Sequence, residues 1–117
     1  MSVWDKSLIN LQEQVYVLYV NANHEVISWR CMNTGNAGET LFNLKFVLSC
    51  ALKCMATNII IAHNHTSGKL HPTADDVRIT DRLMNAAALI DILLLDHLII
   101  KNTGYFSLMD TTNKKPL

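Results

Sequence analysis

Two histidines separated by one residue follow an apolar run in the stretch IIIAHNHTSGKLHPTADD, residues 59–76. Residues two apart in an extended chain point the same way, with Cα atoms about 6.5 to 7 Å apart, so His63 and His65 can converge on one ion. Neutral imidazole is a common zinc ligand, and a catalytic zinc usually has three protein ligands and keeps a fourth position for water. The pair could instead be two ordinary buried or exposed loop histidines, and a metal site would need a third protein ligand.

The candidate third ligand is Asp76, which the sequence places in the first turn of a helix, after Pro72 and an expected N-cap at Thr73. A metal-free interpretation also exists, because Thr73 with an acid three residues later is an approximate capping box. The helix dipole favours an acid in the first turn whether or not a metal is present. The histidine loop leaves a buried strand, and α/β folds place their sites on such loops. The residue pattern alone still leaves both interpretations open.

Other familiar metal and nucleotide motifs are absent from this sequence. It has no HExxH helix of the zinc peptidases and no P-loop, GxGxxG or GxSxG motif. The zinc deaminases also combine a strand with the start of a helix, but they need H-x-E and P-C-x-x-C, and neither occurs. Any metal chemistry therefore depends on the HxH pair and the aspartate.

The elements that must position these residues are predicted from hydrophobic periodicity. Helices alternate with strands, and hairpins are expected towards both ends, so the pattern indicates an α/β or α+β fold with a mixed β-sheet flanked by helices. A break near Asp96 is expected in the predicted strand over 91–101. The predicted segments are a short helix over 4–12, strands over 13–20 and 26–33, a helix over 41–55, a strand over 56–62, a helix over 73–90, and strands over 91–101 and 105–110.

Length and composition indicate a single domain without a strong electrostatic partner. The chain has 117 residues, half of them apolar, with ten basic and ten acidic side chains. Zero formal charge provides no global field for nucleic acid or an anionic membrane, so a DNA-binding domain is only weakly supported. The three cysteines suit neither a disulfide framework nor a zinc knuckle, and no signal peptide or membrane-length apolar run is seen. We expect a soluble, cytoplasmic protein without a membrane partner.

The segments AHNHTSG, LLLDHLII and GYFSL, with ten residues between His65 and Asp76, resemble the RadC family, whose JAB/MPN domain carries the JAMM metal motif. That motif is an early glutamate, H-x-H, seven residues, a serine, two residues and an aspartate. Here seven residues separate His65 from Thr73, which stands at the serine position, and Asp76 falls on the aspartate. The resemblance spans about Ser7 to Met109 and implies the cytidine-deaminase-like JAB/MPN architecture.

By this resemblance, His63, His65 and Asp76 hold Zn²⁺ and a water completes the site. The family's early glutamate matches Glu13, at the start of EQVYVLYV. Glu13 would accept the water's proton and pass it to the leaving nitrogen, and Thr73 could donate to the developing oxyanion. The implied activity is hydrolysis of an amide or isopeptide bond by a protein of a DNA-repair-associated family.

The sequence departs from the family pattern in three ways. Thr73 replaces the motif's serine, which keeps a hydroxyl but adds a methyl group. Thr66 stands where RadC proteins usually have proline, so a less rigid loop is expected from the sequence. We also expect residues 1–117 to form one JAB/MPN domain that lacks the helix-hairpin-helix region of RadC proteins, so DNA association is implied by family only. A non-catalytic interaction module of the same fold is the alternative, and pairing of terminal strands in a homo-oligomer is possible.

The remaining polar residues receive structural interpretations. His71 is expected to be an exposed loop histidine. Asp96 and His97 lie in an apolar run and are expected to form a structural hydrogen-bonded pair, in preference to a role in supporting the site. Asp75 is one helical step from Asp76 and should point elsewhere.

Overall fold

The structure is a computed structural model that describes residues 13–35, 43–64, 72–101 and 104–112. The expected N-terminal helix over 4–12 lies outside these residues. The elements within them are, in chain order, β1 (Glu13–Val20), β2 (Val26–Gly35), α1 (Leu44–Lys53), β3 (Asn58–Asn64), α2 (Ala74–Ala88), β4 (Leu93–Lys101), β5 (Gly104–Ser107) and α3 (Leu108–Thr112).

The strands form one mixed sheet in the order β2-β1-β3-β4-β5. β1 is antiparallel to both of its neighbours, β3 and β4 are parallel, and β5 is antiparallel to β4. α2 connects the parallel pair, so the C-terminal ends of β3 and β4 lie at the same edge of the sheet. This arrangement confirms the predicted α+β fold with helices beside a mixed sheet.

One face of the sheet packs against both longer helices. Tyr19 donates a hydrogen bond to the carbonyl of Val47 at 2.8 Å, which ties β1 to α1. Burial raises the pKa of Tyr19, so the phenol stays protonated and able to donate. Cys50 and Cys54 lie half-buried against this core, as expected for small apolar side chains. The buried cluster consists of Val15, Val17, Tyr19, Val47, Ala51, Ala56, Ile59, Ile61, Leu83, Ala87, Ile92 and Leu94.

The opposite face has a smaller cluster of Leu18, Ala62 and Ile100. Alternation along a strand places these residues opposite their neighbours in the main core. No helix in the described part of the chain is long and apolar enough to span a membrane.

A β-bulge in β4 changes which residues face the helices. Ile59 pairs with Leu94, but the next residue, Ile60, pairs with Asp96, so Leu95 is an extra residue in β4. Without it, alternation from Leu94 would place His97 on the face away from the helices. The bulge instead brings His97 to the helix-facing side. The predicted break near Asp96 is therefore a bulge in a continuous strand.

The C-terminal strand is shorter than predicted. The sequence analysis placed a strand over 105–110, whereas β5 ends at Ser107 and α3 begins at Leu108. Ser107 Oγ accepts from Asp110 N at 3.2 Å and donates to the Asp96 carboxylate at 2.6 Å. Asp96 also accepts from Met109 N. These side-chain bonds favour a helical turn over further strand pairing, because they satisfy backbone donors locally.

Candidate metal centre

His63 lies near the end of β3 and is buried. Its ring projects on the same sheet face as Ile61 and Ile59, because residues two apart in a strand share a face. The Nε2 atom lies 3.7 Å from Oδ1 of Asp76 in the first turn of α2. The fold thus brings together two residues of the predicted site that are thirteen positions apart in the sequence.

Asp76 is also part of the helix cap. Its Oδ2 accepts from Thr73 N at 2.8 Å, and Thr73 Oγ1 accepts from Asp76 N at 3.1 Å, which completes a capping box. The cap uses one carboxylate oxygen of Asp76, while the other, Oδ1, faces His63. The capping interpretation is therefore correct, and the same side chain still presents an oxygen to the histidine. Asp75 points away, as predicted, and its carboxylate pairs with Arg78 at 2.8 Å.

The donor set fits a metal ion. Two ligand atoms that each lie about 2.0 to 2.2 Å from one zinc can be no more than about 4.4 Å apart. The distance of 3.7 Å between His63 Nε2 and Asp76 Oδ1 lies within that limit. His63, Asp76 and His97 are all buried, and their potential ligand atoms lie within 4.8 Å of one another. Imidazole and carboxylate are ligands that zinc accepts.

The ring of His97 contacts His63, which corresponds to the supporting role that the sequence analysis considered but did not favour. Its Nε2 lies 3.1 Å from His63 Nδ1, and its Nδ1 lies 2.6 Å from Thr80 Oγ1. Its bond to Asp96 joins the backbone amide of His97 to the neighbouring carboxylate. The two neighbours are thus hydrogen-bonded as expected, but the ring of His97 contacts the ring of His63.

Sequence signals for these partners existed but were ambiguous. Thr80 is four residues after Asp76, so it shares the helix face that continues to Leu83 and Ala87, where a polar side chain is unusual. His97 interrupts an otherwise apolar strand. Each observation indicates a buried polar residue with a partner, but neither identifies the partner.

Asn64, between the two histidines of the HxH pair, anchors the start of β1. It is fully buried, and its Oδ1 accepts from Gln14 N at 2.7 Å. Val15 is paired with His63 in the antiparallel register of β1 and β3. Glu13, the first residue of β1, is two residues before Val15 in the chain. Its backbone is therefore held close to the end of β3 that carries His63.

Three predicted positions have no described side chain. His65, the second histidine of the pair, and the loop residue His71 lie outside the described residues. Glu13 is placed by its backbone in β1. Thr73 is placed at the N-cap of α2, and its hydroxyl, which accepts within the cap, can still donate its hydrogen.

Comparison with known proteins identifies the family of this fold and site. The model of the RadC-like JAB domain matches residues 2–114, which is nearly the whole chain. The chain belongs to the RadC-like JAB domain family. The resemblance inferred from the histidine loop is therefore confirmed.

Relatives of this RadC-like domain are named UPF0758 proteins. The protein of Streptococcus suis is 35% identical over 102 residues, which cover 87% of this chain and 42% of the relative. The protein of Flavobacterium johnsoniae is 37% identical, with 84% and 43% covered, and that of Porphyromonas gingivalis is 38% identical, with 85% and 44% covered. The RadC-like chain thus spans less than half the length of these relatives.

Proposed function

We propose that this chain is a zinc-dependent JAMM-type hydrolase that cleaves an amide or isopeptide bond. The observation that carries the proposal is the buried approach of His63 Nε2 to Asp76 Oδ1 at 3.7 Å, at two positions of the JAMM motif. The two residues come from different elements, β3 and α2, and the fold brings their potential ligand atoms together in a buried position. His65 completes the proposed ligand set by its place in the motif.

Zinc would supply Lewis acidity at this position, which lowers the pKa of a bound water and polarises a carbonyl. The residues of the chain supply orientation and proton transfer. Asp76 is held by the capping box, so its Oδ1 does not need to be ordered when a ligand binds. The His63 ring is held by its contact with His97. This preorganisation supports a functional role for the pair.

Glu13 is the proposed general base. Its motif position is the start of β1, and the bond from Gln14 N to buried Asn64 holds the adjacent backbone beside the end of β3. A carboxylate placed there would accept a proton from the attacking water and return it to the leaving nitrogen. The hydroxyl of Thr73 is the proposed donor to the oxyanion.

Thr73 has two proposed roles that substitution can separate. Thr73→Ala should lower the free energy of unfolding by about 0.5 to 2 kcal/mol, because the N-cap acceptor is lost. If the hydroxyl also donates to the oxyanion, kcat should fall about 10²- to 10³-fold. Thr73→Ser keeps the hydroxyl and should change both quantities little. Thermal unfolding and turnover measure the two effects, and a destabilised Thr73→Ala variant with unchanged kcat would limit Thr73 to the cap.

Metal content and metal-dependent turnover test the proposed function directly. Protein purified without added metal should contain close to one zinc per chain by elemental analysis. Removal of zinc by a chelator should stop cleavage of a peptide set that contains α-amide and lysine isopeptide bonds, and added zinc should restore it. Protein that contains no zinc and does not take it up would contradict the proposal and favour a non-catalytic interaction module.

A further inference from the structure

A chain of buried contacts leads from the backbone of Asp76 to its own carboxylate. Thr80 Oγ1 donates to the carbonyl of Asp76 at 2.7 Å and lies 2.6 Å from His97 Nδ1. His97 Nε2 lies 3.1 Å from His63 Nδ1, and His63 Nε2 faces Asp76 Oδ1 at 3.7 Å. All four residues are buried, so the loss of a hydrogen bond among them is costly.

The carbonyl of Asp76 sets the direction of these hydrogen bonds. A carbonyl oxygen can only accept, and the Thr80 hydroxyl has a single hydrogen, so that hydrogen is used on Asp76. The hydroxyl must then accept from His97, which places a hydrogen on Nδ1 of that ring. Nε2 of neutral His97 is consequently an acceptor, and it takes the hydrogen on Nδ1 of His63.

We infer that Thr80 and His97 are positioning residues that hold neutral His63 as the tautomer protonated on Nδ1. In that tautomer the lone pair is on Nε2, the nitrogen that faces the Asp76 carboxylate. A metal-ligating histidine commonly has its tautomer set by the hydrogen bond of its other nitrogen. The inference deepens the proposed zinc site and rests on it for its effect on metal binding, whereas the tautomer can be measured without metal.

The contacts of His97 favour support of a ligand over direct coordination. His97 lies close enough to His63 and Asp76 to count as a potential ligand. However, both of its ring nitrogens are already engaged, one with Thr80 and one with His63. Coordination through either nitrogen would leave a buried hydrogen-bonding group of Thr80 or His63 without that contact. His63 and Asp76 remain the two described ligands.

Substitutions of Thr80 and His97 test the effect of these contacts on metal affinity. Zinc affinity, measured by competition with a chromophoric chelator, is expected to fall about 10- to 100-fold in Thr80→Val and in His97→Phe. Thr80→Ser keeps the hydroxyl and should bind zinc like the wild type, although it removes a buried methyl group. His97→Gln keeps an oxygen that can accept from His63 and should recover part of the affinity.

Nitrogen NMR of the histidine rings tests the tautomer itself. In metal-free wild type, at a pH where the rings are neutral, His63 should carry its hydrogen on Nδ1. In Thr80→Val, Nδ1 of His97 loses its acceptor, so His97 should move its hydrogen to Nε2 and shift His63 towards the Nε2–H tautomer. A merely structural role for Thr80 would lower stability without a change of tautomer.

The outcomes separate this inference from the proposed function. Neutral wild-type His63 protonated on Nε2 would overturn the inference, as would unchanged zinc affinity in both Thr80→Val and His97→Phe. A wild type that binds no zinc, but has His63 protonated on Nδ1, would overturn the proposed function and support the hydrogen-bond direction inferred here. An Nε2–H tautomer in the wild type would overturn the inference even if no variant folds.

Discussion

Replacement of Glu13 with glutamine is expected to leave zinc bound and to reduce hydrolysis to near background. Glutamine preserves the size of the side chain but cannot accept a proton from water at neutral pH. A general base of this kind contributes about 10²- to 10⁴-fold to turnover, so a loss of that size is expected in kcat. Elemental analysis and turnover on the same protein preparation measure the two properties together.

Glu25→Gln is the matched control for this substitution. Glu25 is exposed in the turn between β1 and β2, where its carboxylate accepts from the Asn21 side chain at 2.9 Å. Sequence analysis without the family resemblance could not distinguish it from Glu13. Glu25→Gln should retain both zinc and turnover. Loss of zinc from Glu13→Gln, or turnover equal to that of the control, would remove Glu13 from the proposed role.

Asp76→Asn is expected to lose zinc while the helix cap stays largely intact. The asparagine oxygen can still accept from Thr73 N, but the amide lacks the charge of the carboxylate that faces His63. Loss of a metal ligand should weaken zinc binding by more than the roughly 10- to 100-fold expected for loss of a supporting partner. Asp76→Ala should lose zinc equally and should also lower the free energy of unfolding by about 1 kcal/mol, because the bond from Thr73 N is removed.

Chelator competition measures zinc affinity in these variants, and thermal unfolding of the metal-free proteins measures the cap. The control is Asp75→Asn, because Asp75 is adjacent in sequence but pairs with Arg78 on the surface. It should bind zinc like the wild type. If Asp76→Asn bound zinc with wild-type affinity, Asp76 would be a helix cap alone and the proposed ligand set would be wrong.

The residues of the proposed site have three different roles. Asp76 and His63 would contact the metal, Glu13 would transfer a proton, and Thr80 and His97 would keep His63 in its ligating form. Loss of turnover alone cannot distinguish these roles. Three measurements can distinguish them, because each reports on one role. They are the zinc affinity of Asp76→Asn, the metal content of Glu13→Gln compared with its turnover, and the ring tautomers of Thr80→Val.

The local pattern of the sequence predicted most of the elements and singled out two residues of the candidate site. The strand EQVYVLYV was predicted with the bounds of β1, since its β-branched and aromatic residues favour an extended chain. The N-cap of α2 was predicted at Thr73, because a hydroxyl before an acidic first turn satisfies helix donors locally. His63 and Asp76 were singled out by residue type and spacing. The assignment of Glu13 needed the family resemblance.

Tertiary structure decided how β4 contributes to the site. The segment LLLDHLII is apolar on both sides of Asp96 and His97, so its pattern does not determine which residues face the helices. The extra residue Leu95 becomes apparent only through the pairing of β4 with β3. That bulge reverses the alternation and places His97 beside His63. A sequence determines local periodicity, but strand register depends on the partner strand, and a shift of one residue moves a side chain to the other face.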